Sequence, residues 1–236
     1  DFLCPASAQY LAAQRWALGG VDRWACIRTG DIAWLHEHFL VPSARTSFIH
    51  FPSAGSTSDF GDPLPFALPA SFVYASGQAH RDWDTLVAAL RIAPVAAVIS
   101  VPDAVANGVA ATLPDRVTVL PLVAPHHGRA LALRASVVVV ALKDTHLPAG
   151  PLVLVDALAA GAAIVATDAN GSRDYVVAGS TASVVPAGDA PALARAIQDL
   201  MSDPQRRSEL GRNARTWANL NLRVDRFVQQ VLGLAR

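Results

Sequence analysis

The sequence predicts an α/β protein in which a parallel β-sheet carries helices on both of its faces. From Ala70 onward, short apolar runs alternate with stretches whose apolar residues recur at helical spacing, and this alternation is typical of sheets built from β-α units. Two of the runs, Val95–Val101 and Ser136–Leu142, are apolar almost throughout, as expected for strands buried on both sides. Apolar residues make up 52% of the 236 residues, which is ample material for a large core.

The charge balance argues against a protein held to nucleic acid or anionic lipid by its overall charge. Lys+Arg and Asp+Glu each number 19, so the net charge is zero, and only a local patch could support such contacts. No apolar run approaches the ~20 residues that a helix needs to cross a bilayer. Cys4 and Cys26 provide neither a disulfide framework nor a metal cluster, and a cytoplasmic location is the simplest interpretation.

Residues 1–53 are predicted to form a unit of their own, followed by a linker over residues 54–69. A helix is expected from Ser7 to the Gly19-Gly20 pair, and strands are expected at residues 2–4, 24–27 and 47–51. The linker is rich in Ser, Gly and Pro and has no periodicity. Because the chain opens on Asp-Phe-Leu-Cys-Pro, without a Met or a charged leader, we expect it to begin inside a larger protein.

The segment from residue 70 to residue 218 is predicted to hold the whole parallel sheet, and residues 219–236 a C-terminal helix. Six strands are expected, at residues 71–76, 95–101, 117–120, 136–142, 162–167 and 181–185. Helices are expected at residues 82–93, 103–112, 129–134, 152–160, 189–201, 204–217 and 224–234. Since crossovers between parallel strands are right-handed, this order gives a Rossmann-like, doubly wound sheet.

The residues that follow each strand are the candidate site residues, because ligands of open parallel sheets lie beyond the carboxyl ends of the strands. After the first strand of this sheet comes Gly77-Gln78-Ala79-His80-Arg81. Gly77 allows the backbone to approach a ligand closely, the following helix start presents free N–H groups to an anion, and Arg81 adds a cation. The alternative interpretation is a tight turn with Asp82 as helix N-cap and a solvated Arg81.

The loop after the fourth strand is the second candidate segment. It leads through Gly150 and Pro151 into a helix that begins with Leu152. Proline fits the first position of a helix, and such a helix start suits a pyrophosphate. Asp156 lies one turn into this helix, where it is either an exposed residue or a carboxylate that accepts hydrogen bonds from ribose hydroxyls. We expect this helix start and the Gly77 turn to surround one pocket.

Two further loops are less informative. His126 and His127, after the third strand, would point to opposite sides of an extended chain and are poor partners for one metal ion. They are interpreted as part of a surface loop, and the alternative is a loop on which a nucleobase rests. After the fifth strand, Asn170-Gly171 is a turn signal and Ser172 is a candidate cap of a short helix.

From about residue 71 to residue 217 the chain resembles the nucleotide-sugar-binding C-terminal lobe of the GT-B fold glycosyltransferases, in particular the retaining glycosyl transferases of group 1. Residues 72–86 resemble the family's first strand, glycine turn and basic residue, and residues 150–168 resemble its most recognisable stretch. Residues 185–189 and the helix after them also fit. By the same resemblance, residues 1–53 are the end of the N-terminal, acceptor-side lobe.

The resemblance also implies roles for individual residues. Asp156 stands at the second glutamate of the family's Glu-x7-Glu pattern and would bind the nucleotide ribose. Gln78 stands where many members have an arginine beside the pyrophosphate, which leaves Arg81 as the expected phosphate contact. Pro148 stands at the first glutamate, so the carboxylate that orients the donor sugar is missing. The backbone of Gly150 and its neighbours, Pro151 and Leu152, is expected to take its place.

The activity implied by the resemblance is transfer of a sugar from a UDP- or GDP-linked donor to a glycan or lipid-linked acceptor, as in polysaccharide biosynthesis. Arg81 and Asp156 are its expected catalytic residues, and neither a metal nor a further cofactor is expected. Such acceptors are compatible with loose attachment to the inner face of a membrane. A missing N-terminal lobe or a partner subunit would complete the protein, and no nucleic acid partner is expected.

Other function classes remain open at this point. Pro148 and Asp156 at the two glutamate positions, together with the short N-terminal part, favour a non-catalytic nucleotide-sugar-binding module, or pseudo-glycosyltransferase, that assists a complete transferase. A sugar epimerase would need acidic and basic residues facing the sugar from both lobes, and the sequence offers no compelling set. A dinucleotide dehydrogenase is disfavoured because no G-x-G-x-x-G follows a first strand.

Overall fold

A computed structural model of the protein describes residues 8–53, 64, 67–146 and 151–234. Two parallel sheets are present, one of two strands and one of six. The predicted strand at residues 2–4 and most of the predicted linker lie outside the described residues. No described helix is both long and apolar enough to cross a bilayer.

The two-stranded sheet belongs to the first part of the chain. Its elements are α1 (Ala8–Gly19), β1 (Trp24–Cys26), α2 (Thr29–Phe39), a 3-10 turn (Ser43–Arg45) and β2 (Thr46–Phe48). The two strands pair in parallel, and α2 buries Leu35 and Phe39 in a small core that includes the thiol of Cys26. Burial raises the pKa of that thiol to about 11, so it stays protonated and unreactive at neutral pH.

The sequence did not predict α2. Polar residues interrupt its apolar spacing, and the N-cap residue before it, Arg28, makes no side-chain cap hydrogen bond. The cap comes from far along the chain: the carboxylate of Asp174 accepts hydrogen bonds from the Thr29 backbone N–H at 2.8 Å and from the Thr29 hydroxyl at 2.7 Å. A helix start that is completed by tertiary contact leaves no local signal of the kind that N-cap residues give.

The six-stranded sheet and its helices follow the predicted order. The elements are β3 (Val73–Ser76), α3 (Trp83–Ile92), β4 (Ala97–Val101), α4 (Asp103–Ala110), β5 (Val117–Pro121), α5 (Pro125–Arg134), β6 (Val137–Val140), α6 (Leu152–Ala160), β7 (Ile164–Asp168), β8 (Ser183–Pro186), α7 (Ala190–Ser202), α8 (Pro204–Asn221) and α9 (Val224–Leu234). All strand pairs are parallel, in the order β5-β4-β3-β6-β7-β8. This is the usual order of doubly wound sheets, so the predicted fold class is confirmed.

The sheet is buried on both faces because its strands alternate between two apolar cores. One core joins Val73 and Ile99 to the apolar sides of α3 and α7. The other joins Tyr74 and Val138 to those of α5, α6 and α8. The strand order reverses between β3 and β6, and the carboxyl ends of these strands diverge there into a crevice, as is usual for such sheets.

Two local predictions were wrong. Helix α5 begins at Pro125, not at residue 129, so His126 and His127 lie in its first turn and not in an extended loop. Pro125 suits that position because it has no N–H to satisfy. Residues 170–174 form turns and no helix. The buried Ser172 hydroxyl closes them through the carbonyl of Thr167 at 2.6 Å and the N–H of Ala169 at 3.2 Å.

The two sheets are joined by contacts around Tyr175. Its hydroxyl donates to the carbonyl of Ile27 at 2.7 Å and accepts from the N–H of Phe51 at 3.0 Å. The His50 ring lies edge-on to Tyr175, with its Nε2 atom 3.2 Å from the carbonyl oxygen of Asp174. The segment after β2 is therefore held against the turns that follow β7, which places α2 over the edge of the large sheet.

Candidate functional site

A cavity of about 330 Å³ opens at the carboxyl edge of the large sheet, beside the crevice between β3 and β6. Three segments line it: the loop after β3, the loop after β5 together with the start of α5, and the first turn of α6. The size is within the usual range for small-molecule sites, and the position is the one where open α/β sheets bind ligands.

Most of the sequence-predicted site residues surround this cavity. Gly77, Gln78, Arg81, Leu152 and Asp156 all line it. Pro151 is buried just before α6, where its carbonyl accepts the N–H of Val155 at 2.9 Å, and it does not line the cavity. Gly150 and Pro148 lie outside the described residues.

Gly77 and Arg81 form one unit on the β3 side of the cavity. Gly77 has a φ of 128°, and a Cβ atom built on it would lie 2.3 Å from Nε of Arg81. The guanidinium therefore occupies the space that any larger residue at position 77 would fill, and its Nε donates to the Ser76 carbonyl at 2.8 Å. Arg81 is 8% exposed, so the alternative of a solvated arginine was wrong. Asp82 is indeed the N-cap of α3, through the N–H of Thr85 at 3.1 Å.

The charge of Arg81 lacks a counterion among the described residues. No carboxylate of residues 8–53, 64, 67–146 and 151–234 forms an ion pair with it. Burial lowers its pKa to about 10, which still leaves the guanidinium charged at neutral pH. A buried cation without a carboxylate partner is costly, and an anion placed in the cavity would offset that cost.

Asp156 lines the cavity from α6 and is buried, so the interpretation as an exposed helix residue was wrong. Its Oδ1 atom accepts a hydrogen bond from the Ser53 hydroxyl at 2.9 Å, and its Oδ2 atom lies 3.9 Å from Nη1 of Arg129. Burial raises the pKa of Asp156, while the Ser53 hydrogen bond and the positive charge of Arg129 oppose that rise. The carboxylate is thus positioned from two sides.

Sequence reasoning missed Arg129, Ser53 and Tyr74 as parts of the site. Arg129 lines the cavity from α5, and within the described chain its buried Nε has no hydrogen-bond partner. Tyr74 also lines the cavity, and burial raises its pKa to about 12. Ser53 reaches Asp156 from the segment that crosses between the sheets. Of these three residues, Arg129 had a signal in the sequence, because it is an arginine in the helix that directly follows a strand. The contacts of Ser53 and Tyr74 with the site depend on the tertiary fold.

The remaining wall of the cavity is apolar. Leu122 and Val123 after β5, with Pro125 and Gly128 of α5, contribute this surface. His126 and His127 are not among the lining residues, but Leu122 and Val123 of the loop before them are. The alternative of a loop on which a nucleobase rests therefore stays a prediction. Across the described residues there is also no group of three or more potential metal ligands. The lining thus combines an apolar surface with the cations of Arg81 and Arg129.

A known protein family matches part of this sequence, and solved structures match the fold over nearly the whole chain. Residues 109–217 match the family described as glycosyl transferases group 1, which confirms over that segment the resemblance predicted from the sequence. No curated protein matches the chain at a significant level.

Solved structures of GT-B glycosyltransferases share the fold. Sucrose-phosphate synthase from Thermosynechococcus elongatus superposes with a TM-score of 0.77 at 23% identity over 98% of this chain and 63% of its own. HepE from Anabaena, solved with UDP and glucose, gives a TM-score of 0.82 at 18% identity over 99% and 69%. A glycosyltransferase from Rickettsia africae gives 0.80 at 11% identity over 98% and 67%. The chain thus spans about two thirds of the length of these proteins.

Proposed function

We propose that the protein binds a nucleoside-diphospho-sugar in this cavity and transfers the sugar to a glycan or lipid-linked acceptor. The observation that carries the proposal is the buried guanidinium of Arg81, which pairs with no described carboxylate, in a cavity at the switch point of the sheet. Arg81 lines it from the loop after β3 and Arg129 from α5, and together they outnumber the carboxylate of Asp156 in the described lining, which makes the interior electropositive. A diphosphate is the anion that such a cavity fits.

The proposed roles follow the lining of the cavity. The nucleobase lies against Leu122 and Val123, and the carboxylate of Asp156 accepts hydrogen bonds from the ribose hydroxyls. Because Ser53 already donates to one oxygen of Asp156, the other oxygen is the one offered to the nucleotide. UDP is the first nucleotide to test, because HepE, which has the same fold, was solved with UDP and with UDP-glucose.

The chemical task of the chain is to stabilise the departing diphosphate. As the bond between the sugar carbon and the phosphate oxygen breaks, negative charge develops on the diphosphate, and preset cations at that place stabilise the transition state. Arg81 and the start of α6 at Leu152 supply positive charge there. Because these groups already provide positive charge, we propose that the transfer uses neither a metal nor another cofactor. We also propose that the configuration at the sugar carbon is retained.

Calorimetric titration with UDP and with GDP tests the proposal. The full chain is expected to bind one of them, and Arg81→Ala should weaken binding by about 10- to 100-fold, since hydrogen bonds to charged groups contribute ~1.5–3 kcal/mol. Arg91→Ala removes an exposed arginine on α3, outside the cavity, and should leave binding unchanged. Binding of neither nucleotide, or full affinity in Arg81→Ala, would contradict the proposal.

A non-catalytic nucleotide-sugar-binding module is the second candidate. Proline at position 148, where the family has a carboxylate that orients the donor sugar, is the feature that favours it. Both candidates predict nucleotide binding, so donor turnover separates them. Release of UDP or GDP from the corresponding sugar nucleotide, abolished by Arg81→Ala, would support the transferase. Tight binding without any release would support the module.

A further inference from the structure

A pocket of about 360 Å³ lies at the amino ends of β1 and β2, where the last turns of α1 and α2 meet the segments that lead into the two strands. The small sheet contacts the large one beyond the opposite ends of these strands, through Ile27 and Phe51. The pocket shares no lining residue with the first cavity. We propose that this amino-end pocket is a separate binding site for a small carboxylate that carries an apolar group.

Two arginines give the amino-end pocket its charge. Arg15 and Arg45 line it, and no carboxylate is among the lining residues. Nε of Arg15 donates to the carbonyl of His38 in α2 at 2.9 Å, and Nη1 of Arg45 donates to the carbonyl of Gly19 at the end of α1 at 3.2 Å. Each arginine thus holds a helix end with one of its five N–H groups. Neither guanidinium makes another hydrogen bond within residues 8–53, 64, 67–146 and 151–234.

The charge balance of the amino-end pocket selects a carboxylate over a phosphate. Neither lining arginine pairs with a carboxylate of the described chain, in contrast to Arg173, which pairs with Asp144 at 2.9 Å and with Asp168 at 2.7 Å. The carboxyl-terminal ends of α1 and α2 each contribute about half a negative charge, so two guanidiniums and two helix ends leave about one positive charge. A carboxylate matches this charge, whereas a phosphate monoester carries ~1.5–2 negative charges at neutral pH.

The remaining lining explains why the ligand needs an apolar group. Leu18, Phe39 and Val41, which belong to the small core around Cys26, also line the pocket. Trp24 lines it too, and its buried indole Nε1–H has no hydrogen-bond acceptor among the described residues. A buried indole N–H usually has a partner, and a carboxylate oxygen would provide one. The lining therefore fits an anion with an apolar body better than an inorganic ion.

Leu40 is the residue whose conformation is costly unless it serves a ligand. It is the C-cap of α2, its φ of 58° lies in the left-handed region, and it is 65% exposed. Glycine is the usual residue at such a helix end, because a side chain in this conformation is strained. A leucine is thus unfavourable for folding both by its backbone and by its exposure. Since Leu40 lines the pocket, its side chain is available to cover the apolar group of the ligand, and strained residues of this kind cluster at binding sites.

Two-dimensional NMR of the tryptophan indole N–H groups tests the inference, with hexanoate and phenylbutyrate as the probes for the full chain. The variant Trp24→Phe identifies the Trp24 signal. We expect this signal to shift in a saturable way with at least one of the two carboxylates, and the signals of Trp83 and Trp217, on α3 and α8, to stay in place. Hexanol, a neutral molecule of the same chain length, should bind at least tenfold more weakly than hexanoate, because it lacks the charge.

Two variants separate binding of the carboxylate from folding. Arg45→Ala should weaken binding of the shifting carboxylate by about tenfold, the size expected for one hydrogen bond to a charged group. Leu40→Gly should weaken it by about three- to tenfold, since the apolar group loses part of its cover. The midpoint of urea unfolding of Leu40→Gly should stay the same or rise, because glycine adopts a positive φ without strain. A merely structural role of Leu40 would not combine weaker binding with unchanged or higher stability.

Matched controls lie on the large sheet. Arg195→Ala removes an exposed arginine of α7, and Leu220→Ala removes a leucine of α8 that is 62% exposed; both should bind the carboxylate normally. Three results would overturn the inference: no Trp24 shift with either carboxylate, equal affinity for hexanoate and hexanol, or wild-type affinity for the carboxylate in Arg45→Ala or Leu40→Gly. All four variants should keep the wild-type affinity for UDP. A chain that binds the carboxylate but not UDP would refute the proposed function and support the amino-end pocket.

Discussion

The cavity proposed to bind the nucleotide, the first pocket, and a second pocket between α2 and the carboxyl ends of β6 and β7 lie on one edge of one sheet, yet their lining differs in charge and in origin. The described lining of the first comes from the segment 74–156 and is electropositive through Arg81 and Arg129. The second combines α2 with the ends of β6 and β7, and its carboxylates Glu37 and Asp144 outnumber the neutralised Arg173. The fold thus places pockets along the edge of the sheet, while the individual side chains set the charge of each pocket.

The largest expected effect comes from Gly77→Ala in the first pocket. A Cβ at this position would overlap Arg81 Nε at 2.3 Å and would be held at a φ of 128°, so the guanidinium must move out of its place. We expect the loss of UDP binding to equal or exceed that of Arg81→Ala, with roughly 1–3 kcal/mol lost from the free energy of unfolding because of backbone strain. Calorimetry and urea unfolding measure the two effects.

Gly179→Ala is the matched control for this prediction. Gly179 also has a positive φ, of 70°, but no heavy atom of the described chain lies within 4 Å of the point that its Cβ would occupy. This variant should lose some stability and keep its full affinity for UDP. Unimpaired UDP binding in Gly77→Ala would show that the position of Arg81 does not govern the first pocket.

A smaller effect is expected for the pH dependence that Asp156 contributes. Burial raises its pKa in the folded state above the unfolded value of about 3.9. Between these two values the folded state binds more protons than the unfolded state, so the free energy of unfolding falls as the pH rises through this window. Asp156→Asn should remove this fall and make the profile flatter above about pH 4, as measured by urea unfolding at a series of pH values.

The same variant should bind UDP several-fold more weakly, because an amide is a weaker acceptor for ribose hydroxyls than a carboxylate. Asp84→Asn, on the exposed side of α3, is the control and should leave both the profile and the affinity unchanged. An unchanged pH profile in Asp156→Asn would mean that Ser53 and Arg129 compensate the burial of the carboxylate completely.

The smallest expected effect is the response of UDP binding in the first pocket to salt. Binding of UDP to the electropositive pocket should weaken a few-fold between low salt and about 1 M sodium chloride, where the Debye length falls to ~3 Å. Titrations at several salt concentrations check this expectation, and a UDP affinity that does not change with salt would contradict the positive charge assigned to the first pocket.

The sequence predicted the regular parts of this molecule well because their causes are local. Continuous apolar runs such as Val137–Val140 and amphipathic stretches such as α3 carry their own periodicity. The Gly77 turn and the start of α6 were predicted to surround one pocket because parallel strands end on the same edge, and both line the observed cavity. The true start of α5 was missed, since its first turn is polar and lacks such a period.

By itself, the sequence determined the class of fold, the order of strands and helices, and the candidate residues on the edge of the sheet. Only the tertiary structure decided that Arg81 is buried away from every described carboxylate, that Ser53 and Arg129 hold Asp156 from two sides, and that α2 is capped by Asp174. The physical reason is the separation along the chain over which each effect acts. Periodicity and turn chemistry act over a few neighbouring residues, whereas burial, pKa and charge balance arise from side chains that only the folded chain brings together.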